Sequence, residues 1–401
     1  MNPKTVLLCA LPCVLGTVLT LPGAPAHAGP IRDRIIERMQ ERRAANANAG
    51  NSGNSGSSGS SGNSGSSGNS GDSATGDTAN ETGLADLGGG AGAGAMSCAD
   101  WAKRVNRLQQ RAQGRNAGPA PDYKDVAYGP HPLEKLDVFV PKAAGQGGAA
   151  QTGQGNQTSS GAPIILMVHG GGWCVGDKGG ATMTANKVAR WVSRGFVFVS
   201  INYPMVSDGK DAIAQAASVA RAAAYVQANA GKWGANGGGD PGKLILMGHS
   251  AGAHLVSLVN ADAQIRQAAG LRPVLGVVSL DAGAIDVVTQ MPKVYPFLKT
   301  RYREAFGTTE AQWVAASPFH KLERGAAPWL GVCSTTRKDD PCGQARAYAQ
   351  KSNALGIKAS VLLEAKNHGA INKELGTAGE YTSGVEAFMA SLDAGVAGLL
   401  K

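Results

Sequence analysis

From residue 163 onward the chain repeats one pattern: a short, continuous apolar run followed by a stretch of helical periodicity. The runs cover 163–168, 196–201, 243–247, 274–280, 329–333 and 359–363, and the helical stretches 182–194, 212–229, 254–260 and 344–355. An apolar run without alternation suits a strand buried on both faces. Strand and helix in turn predict βαβ units, hence an α/β fold: a mostly parallel central sheet with helices on both faces. Ligands in such sheets sit at the carboxyl ends of the strands. The loops that follow the runs are therefore where chemistry is sought.

The first 96 residues read differently. Lys4 precedes an apolar stretch, 6–21, broken by Pro12 and Gly16, and Ala26-His27-Ala28 has the small-x-small form of a signal-peptidase site. Residues 1–28 are expected to be a cleaved signal, placing the mature protein in the periplasm or outside the cell. Cys13 follows Leu11-Pro12 rather than the small residues a lipid-attachment site needs, so Cys9 and Cys13 are expected to leave with the signal. Residues 29–45 read as a short charged helix or tail. Residues 46–96 read as a flexible linker, since 51–71 contains only Asn, Ser and Gly and cannot bury apolar surface. Residues 97–401 remain as one domain, with a Gly-rich surface insertion at 145–161. Aromatics make up 5% of the chain, so the core must rest on Ala, Val, Leu and Ile. The net charge of +9 is not gathered in one block, which argues against nucleic-acid binding. After the signal no apolar run approaches the roughly 18 residues of a membrane span, so no stable membrane insertion is expected. The six Cys form no Cys-x-x-Cys pattern and no metal is expected.

Two loops carry the strongest signals. Gly248-His249-Ser250-Ala251-Gly252 matches Gly-x-Ser-x-Gly, a pattern short enough to arise by chance. Its context is specific: run 243–247 ends just before it and a helix begins just after. That is the strand, sharp turn and helix of a nucleophile elbow, with Ser250 at the top. His169-Gly170-Gly171-Gly172-Trp173 follows run 163–168 and is a sharper signal. Bare backbone at Gly171 and Gly172 can aim N–H groups at a developing oxyanion, with the N–H of Ala251 completing the hole. The loop lacks the Lys-Ser/Thr of a phosphate-binding P-loop.

A serine nucleophile needs a base and an orienting acid. His169 and His249 belong to the two motifs, and His254 lies one turn into the elbow helix, where packing is expected. His131 precedes Pro132 far upstream; of His320 and His368, His368 is favoured because it follows run 359–363 at the rim that holds Ser250. An apparent pKa of about 6.5 or somewhat higher is expected for it, because a nearby carboxylate favours imidazolium. For the acid, the loop after 329–333 offers two adjacent candidates, Asp339 and Asp340. Asp281 and Asp286, after the preceding strand, are the alternatives.

These segments together resemble the α/β-hydrolase superfamily: Gly170 to Lys178, Gly239-Asp240-Pro241, Gly248 to Leu255 and His368-Gly369-Ala370-Ile371-Asn372. The nearest branch is the esterase and lipase group with an HGGGW loop, close to hormone-sensitive-lipase-like and kynurenine-formamidase-like carboxylesterases. The resemblance implies Ser250 as nucleophile, His368 as base and the N–H groups of Gly171, Gly172 and Ala251 as oxyanion donors. Relatives often place the acid in a Gly-x-x-Asp-x-x-Val-Pro loop. This chain departs there, and Asp340 is favoured over Asp339.

The reading is a secreted serine carboxylesterase acting on small or medium acyl esters through an acyl-enzyme, without cofactor. An arylformamidase or a feruloyl or acetyl-xylan-type esterase on the same residues is the alternative, and a non-catalytic binding module the more distant one. The partner is a small-molecule ester; oligomeric state is not readable. Of the mature cysteines, Cys333 and Cys342 flank the acid loop, and a bridge between them would hold its carboxylate toward His368. Nothing in the sequence brings Cys98 to Cys174.

Overall fold

The computed structural model describes residues 96–111, 118–142, 161–233 and 238–401. The signal, the tail and all but the last residue of the linker lie outside the described residues, as does all but the last residue of the 145–161 insertion.

Eight strands form one sheet: β1 (Tyr123–Ala127), β2 (Lys135–Phe139), β3 (Ala162–Val168), β4 (Val197–Ile201), β5 (Gly239–His249), β6 (Gly276–Leu280), β7 (Trp329–Ser334) and β8 (Ala359–Glu364). Their order is β1-β2-β4-β3-β5-β6-β7-β8. β1 and β2 are antiparallel, β2 is antiparallel to β4, and every other pair is parallel. The six apolar runs are thus β3 to β8, and the fold class is as expected. β1 and β2 are additions at one edge. β1 is largely exposed and polar, which hid it from a search for apolar runs.

Successive side chains of a strand point to opposite faces, and the core divides accordingly. Ile164, Leu166, Val168, Leu244 and Leu246 pack with the Ala-rich helix Ala212–Asn229 and the helix Ala251–Ala261. Ile165, Met167, Ile245 and Met247 face the other way, onto Met183 and Trp191 of helix Ala181–Trp191 and Val385 and Met389 of helix Glu380–Ala390. Each Leu, Ile or Val buried in full contributes about 1.5–3 kcal/mol. With few aromatics the chain reaches a close-packed core by seating alanine faces directly on the sheet.

The register levels the carboxyl ends that matter. Val168 pairs with Gly248, His249 with Leu280, Leu280 with Val332 and Ser334 with Glu364. Residues 169, 250, 281 and 368 all lie just beyond this common rim. The edge strands help fix it: Lys178, buried, bridges Asp125 at 2.7 Å and Asp137 at 2.8 Å, and its N–H donates to Asn202. The segment that leaves the Gly-rich loop is thereby pinned to β1 and β2.

Cys333 is bonded to Cys342 and Cys98 to Cys174. The second bridge ties helix Cys98–Arg111 beside the Gly-rich loop, where Trp101 and Val105 pack on Val175. Both bridges are compatible with export to an oxidising compartment. Among the described residues no helix is long and apolar enough to cross a membrane, and no cluster of His, Cys, Asp and Glu is arranged to hold a metal ion.

Candidate active site

Ser250 stands between β5 and helix Ala251–Ala261 with φ 57° and ψ −117°, a conformation that L-residues avoid. Two features hold it there. Its N–H donates to Leu280 O at 2.9 Å, and Gly252 lets the helix start close against β3: a Cβ on Gly252 would collide with Val168 O and His169 O. The result is the sharp elbow that the sequence indicated.

His368 begins the short helix His368–Lys373, which is capped by Asn367. Its Nε2 lies 2.9 Å from Ser250 Oγ and its Nδ1 lies 2.6 Å from Asp281 Oδ2. Asp281 is the residue just after β6, fully buried, with φ 52°. Its other oxygen accepts the N–H of Ser334 at 2.8 Å, and its own N–H donates to Val332 O. Arg337 Nη1 donates to the same carboxylate at 3.1 Å. Burial alone would raise this carboxyl, but the Arg337 charge and the hydrogen bond with His368 outweigh it and hold it well below the usual carboxylate range.

The expectation for Asp340 is corrected here. Asp340 is exposed and caps helix Pro341–Ala354, its Oδ1 accepting the Gly343 N–H at 2.9 Å. Asp339 is buried and paired with Arg337, whose Nε donates to it at 3.0 Å. Neither is brought to His368; Asp281, the alternative after the preceding strand, is. The Cys333–Cys342 bridge forms, but the loop it closes presents Arg337 to the site rather than an acid. A signal for this was available. Asp followed by Pro is an N-cap followed by the first helical position.

The expected imidazole pKa is corrected as well. Burial lowers it, as do the neighbouring charges of His249 and Arg337, and together they outweigh the opposing pull of Asp281. His320 faces Asp286, its Nε2 3.3 Å from Oδ1, and it is His368 that meets Ser250. His254 is buried, as expected: Nδ1 accepts from Trp173 Nε1 at 3.2 Å while Nε2 donates to Ala316 O at 2.8 Å. Burial pushes it down to about 4, so it is a neutral strut between the elbow helix and the Gly-rich loop.

Gly172, Trp173, Ser250, Ala251 and His368 line one cavity of about 590 Å³. Gly172 and Ala251 therefore reach it. Gly171 stands behind them at φ 106°: its carbonyl accepts from Cys174 and Val175, and a Cβ there would strike Val175 O. Tyr295, Phe297, Leu298 and Tyr302 also line the cavity. Tyr302 and Phe306 meet the Trp173 ring edge-on at centroid distances of 5.0 and 4.6 Å, so the segment 295–306 is seated on the Gly-rich loop.

Comparison with known proteins bears on the fold. A family model described as BD-FAE matches residues 154–287. Esterase LipQ of Mycobacterium tuberculosis is 29% identical over 203 residues, 47% of this chain and 45% of that protein. A probable isoprenylcysteine alpha-carbonyl methylesterase of Oryza sativa subsp. japonica is 26% identical over 156 residues, 37% of this chain and 30% of that protein. The matches thus span less than half the length of these two relatives. Among solved structures, a truncated carbohydrate esterase from gut microbiota superposes with a TM-score of 0.53 at 19% identity, covering 69% of this chain and 99% of that one. Esterase B of Lactobacillus rhamnosus does so with a TM-score of 0.53 at 16% identity, covering 75% and 94%. At these identities the likeness is one of fold, and the fold is that of the α/β-hydrolases.

Proposed function

We propose that this α/β-hydrolase-fold chain is an exported serine carboxylesterase in which Ser250 is the nucleophile, His368 the base and Asp281 the orienting acid. The observation that carries the reading is the unbroken line from Ser250 Oγ through both nitrogens of His368 to a buried carboxylate, opening into a cavity. Nδ1–H donates to Asp281, which leaves Nε2 to take the serine proton. The serine oxygen then attacks the ester carbonyl. The backbone N–H groups of Gly172 and Ala251, the two that reach the cavity, receive the negative charge that develops on the carbonyl oxygen. His368 returns the proton to the departing alcohol, and water repeats the sequence on the acyl-enzyme. The signal read at residues 1–28 and the two disulfides support export.

The aromatic wall of Trp173, Phe297 and Tyr302 favours esters with a planar or aromatic group, which keeps the feruloyl-type alternative in play. A binding module without activity has no use for a strained serine aligned with a buried His–Asp pair. The test is Ser250→Ala. Loss of a triad nucleophile costs about 10⁶ in kcat, and a fluorophosphonate should label Ser250 alone. Label on another serine, with turnover surviving in the variant, overturns the assignment.

A further inference from the structure

We propose that the cavity selects esters that carry a carboxylate, and that Arg301 is the residue that receives it; this rests on the esterase reading above. Arg301 stands on helix Lys299–Phe306 as part of the cavity wall and is 6% exposed. Its guanidinium carbon lies 4.8 Å from the centre of the Trp101 ring. Nη2 donates to Phe297 O at 3.2 Å, and Nε is buried with no hydrogen-bond partner. A guanidinium has five N–H donors, so most of this one's capacity is unused. Among the described residues it has no carboxylate within ion-pair distance. Glu304, one turn on, is exposed, and its carboxylate accepts the Cys98 N–H at 2.7 Å.

The rest of the wall points the same way. Arg337 lines the cavity too, but it is committed to Asp281 and Asp339. Lys338 adds an exposed cation, and none of the described wall residues is acidic. Burial disfavours this cation, and the carboxylate that acts on it through space, Glu304, is exposed and holds the Cys98 N–H, so an anion delivered by the substrate would add compensating charge. The wall beside Arg301 is apolar and aromatic, at Phe297, Leu298 and Tyr302. One planar carboxylate on a carbon chain fits such a wall, since guanidinium can grip it through two parallel bonds. A polyphosphate would need further donors that this wall lacks.

The experiment compares 4-nitrophenyl monoesters of succinate, glutarate and adipate with the uncharged butyrate, valerate and hexanoate esters on the full chain. The ratio of kcat/KM, charged over uncharged at the best chain length, should exceed one and fall with added salt. In Arg301→Gln it should drop roughly 10- to 100-fold, chiefly through KM, with Arg301→Lys in between. If Arg301 only holds helix Cys98–Arg111 against the domain, both ester series fall together and the ratio stays put, which overturns the proposal. Should Arg301→Gln not fold, the wild-type ratio and its salt dependence decide alone: a ratio below one at every length overturns it. Binding of the same monoesters to Ser250→Ala provides a readout independent of turnover. Absence of hydrolysis in both series, with no labelling of Ser250, would instead overturn the esterase reading itself.

Discussion

The loops that leave β6 and β7 stand side by side at one rim, and both bring aspartates to it, yet they do opposite things. Asp281 leaves β6, the strand hydrogen-bonded to the strand of the nucleophile, and Ser250 N–H donates to the residue just before it. Its backbone turns through a positive φ and its N–H is held by Val332, so the carboxylate is aimed at His368 and buried. The β7 loop lies one strand further out. Its Asp339 is drawn to Arg337, and its Asp340 turns away to cap a helix. What this loop contributes is a cation: Arg337 joins the two loops by donating to both Asp281 and Asp339. The partners each loop gives its carboxylates, rather than their number, decide which one meets the imidazole: Asp339 and Asp340 are engaged by Arg337 and by the Gly343 N–H, and Asp281 is left facing His368.

The sharpest way to break this contrast is to neutralise one carboxylate at a time. Asp281→Asn should lower kcat by about 10⁴, the size of effect seen when a triad loses its orienting carboxylate and the imidazole adopts the wrong tautomer. Asp340→Asn should leave kcat within a factor of about two, because Asn also tolerates the left-handed backbone and can accept the capping bond. Initial rates on a 4-nitrophenyl ester suffice. The reverse ranking would return the acid to the β7 loop.

A smaller effect is expected from the cation that joins the loops. In the wild type kcat/KM should rise with pH as His368 loses its proton, with the midpoint below the ordinary imidazole value of 6.5, since burial, His249 and Arg337 all disfavour imidazolium. Arg337→Met removes one of those influences. The midpoint should therefore move to higher pH. Stability should fall by about 3–5 kcal/mol, because Asp339 and Asp281 lose their buried partner. Arg337→Lys should restore part of both. A midpoint that does not move, in a variant that is merely less stable, would make Arg337 a purely structural link.

How far the site was legible follows from the same contrast. Ser250 and His368 could be placed because each follows a continuous apolar run, and every such run became a strand ending at one rim. The Gly-rich loop was legible for the same reason, after β3. The acid was not, because its choice depends on which carboxylates the folded loops engage elsewhere, and those contacts leave no trace along the chain. Nor does a positive φ at Asp281, for Asp reaches that region without a glycine to mark it. The edge strands escaped notice because β1, Tyr-Lys-Asp-Val-Ala, has no apolar run. Cys98 and Cys174 are 76 residues apart, with three strands between them, and only the folded chain brings them together.

The smallest effect tests what Asp340 does in place of catalysis. It sits at φ 57° and ψ 53°, its side chain accepts the Gly343 N–H, and Pro341 occupies the first position of the helix behind it. Alanine would lose the capping bond, worth about 1 kcal/mol, and would tolerate the left-handed backbone less well. Asp340→Ala should thus lower the midpoint of thermal unfolding by about 2 °C in a domain of this size while leaving kcat unchanged. Asp340→Asn should keep both. The cap belongs to the helix that carries Cys342, so the bridge to Cys333 keeps the start of that helix in place when the cap is lost. The deficit should therefore grow when Cys342→Ala is combined with Asp340→Ala, and a double-mutant cycle in urea measures the coupling. Strict additivity would mean that cap and bridge act on the helix independently. A large fall in kcat for Asp340→Ala alone would place this residue at the imidazole after all.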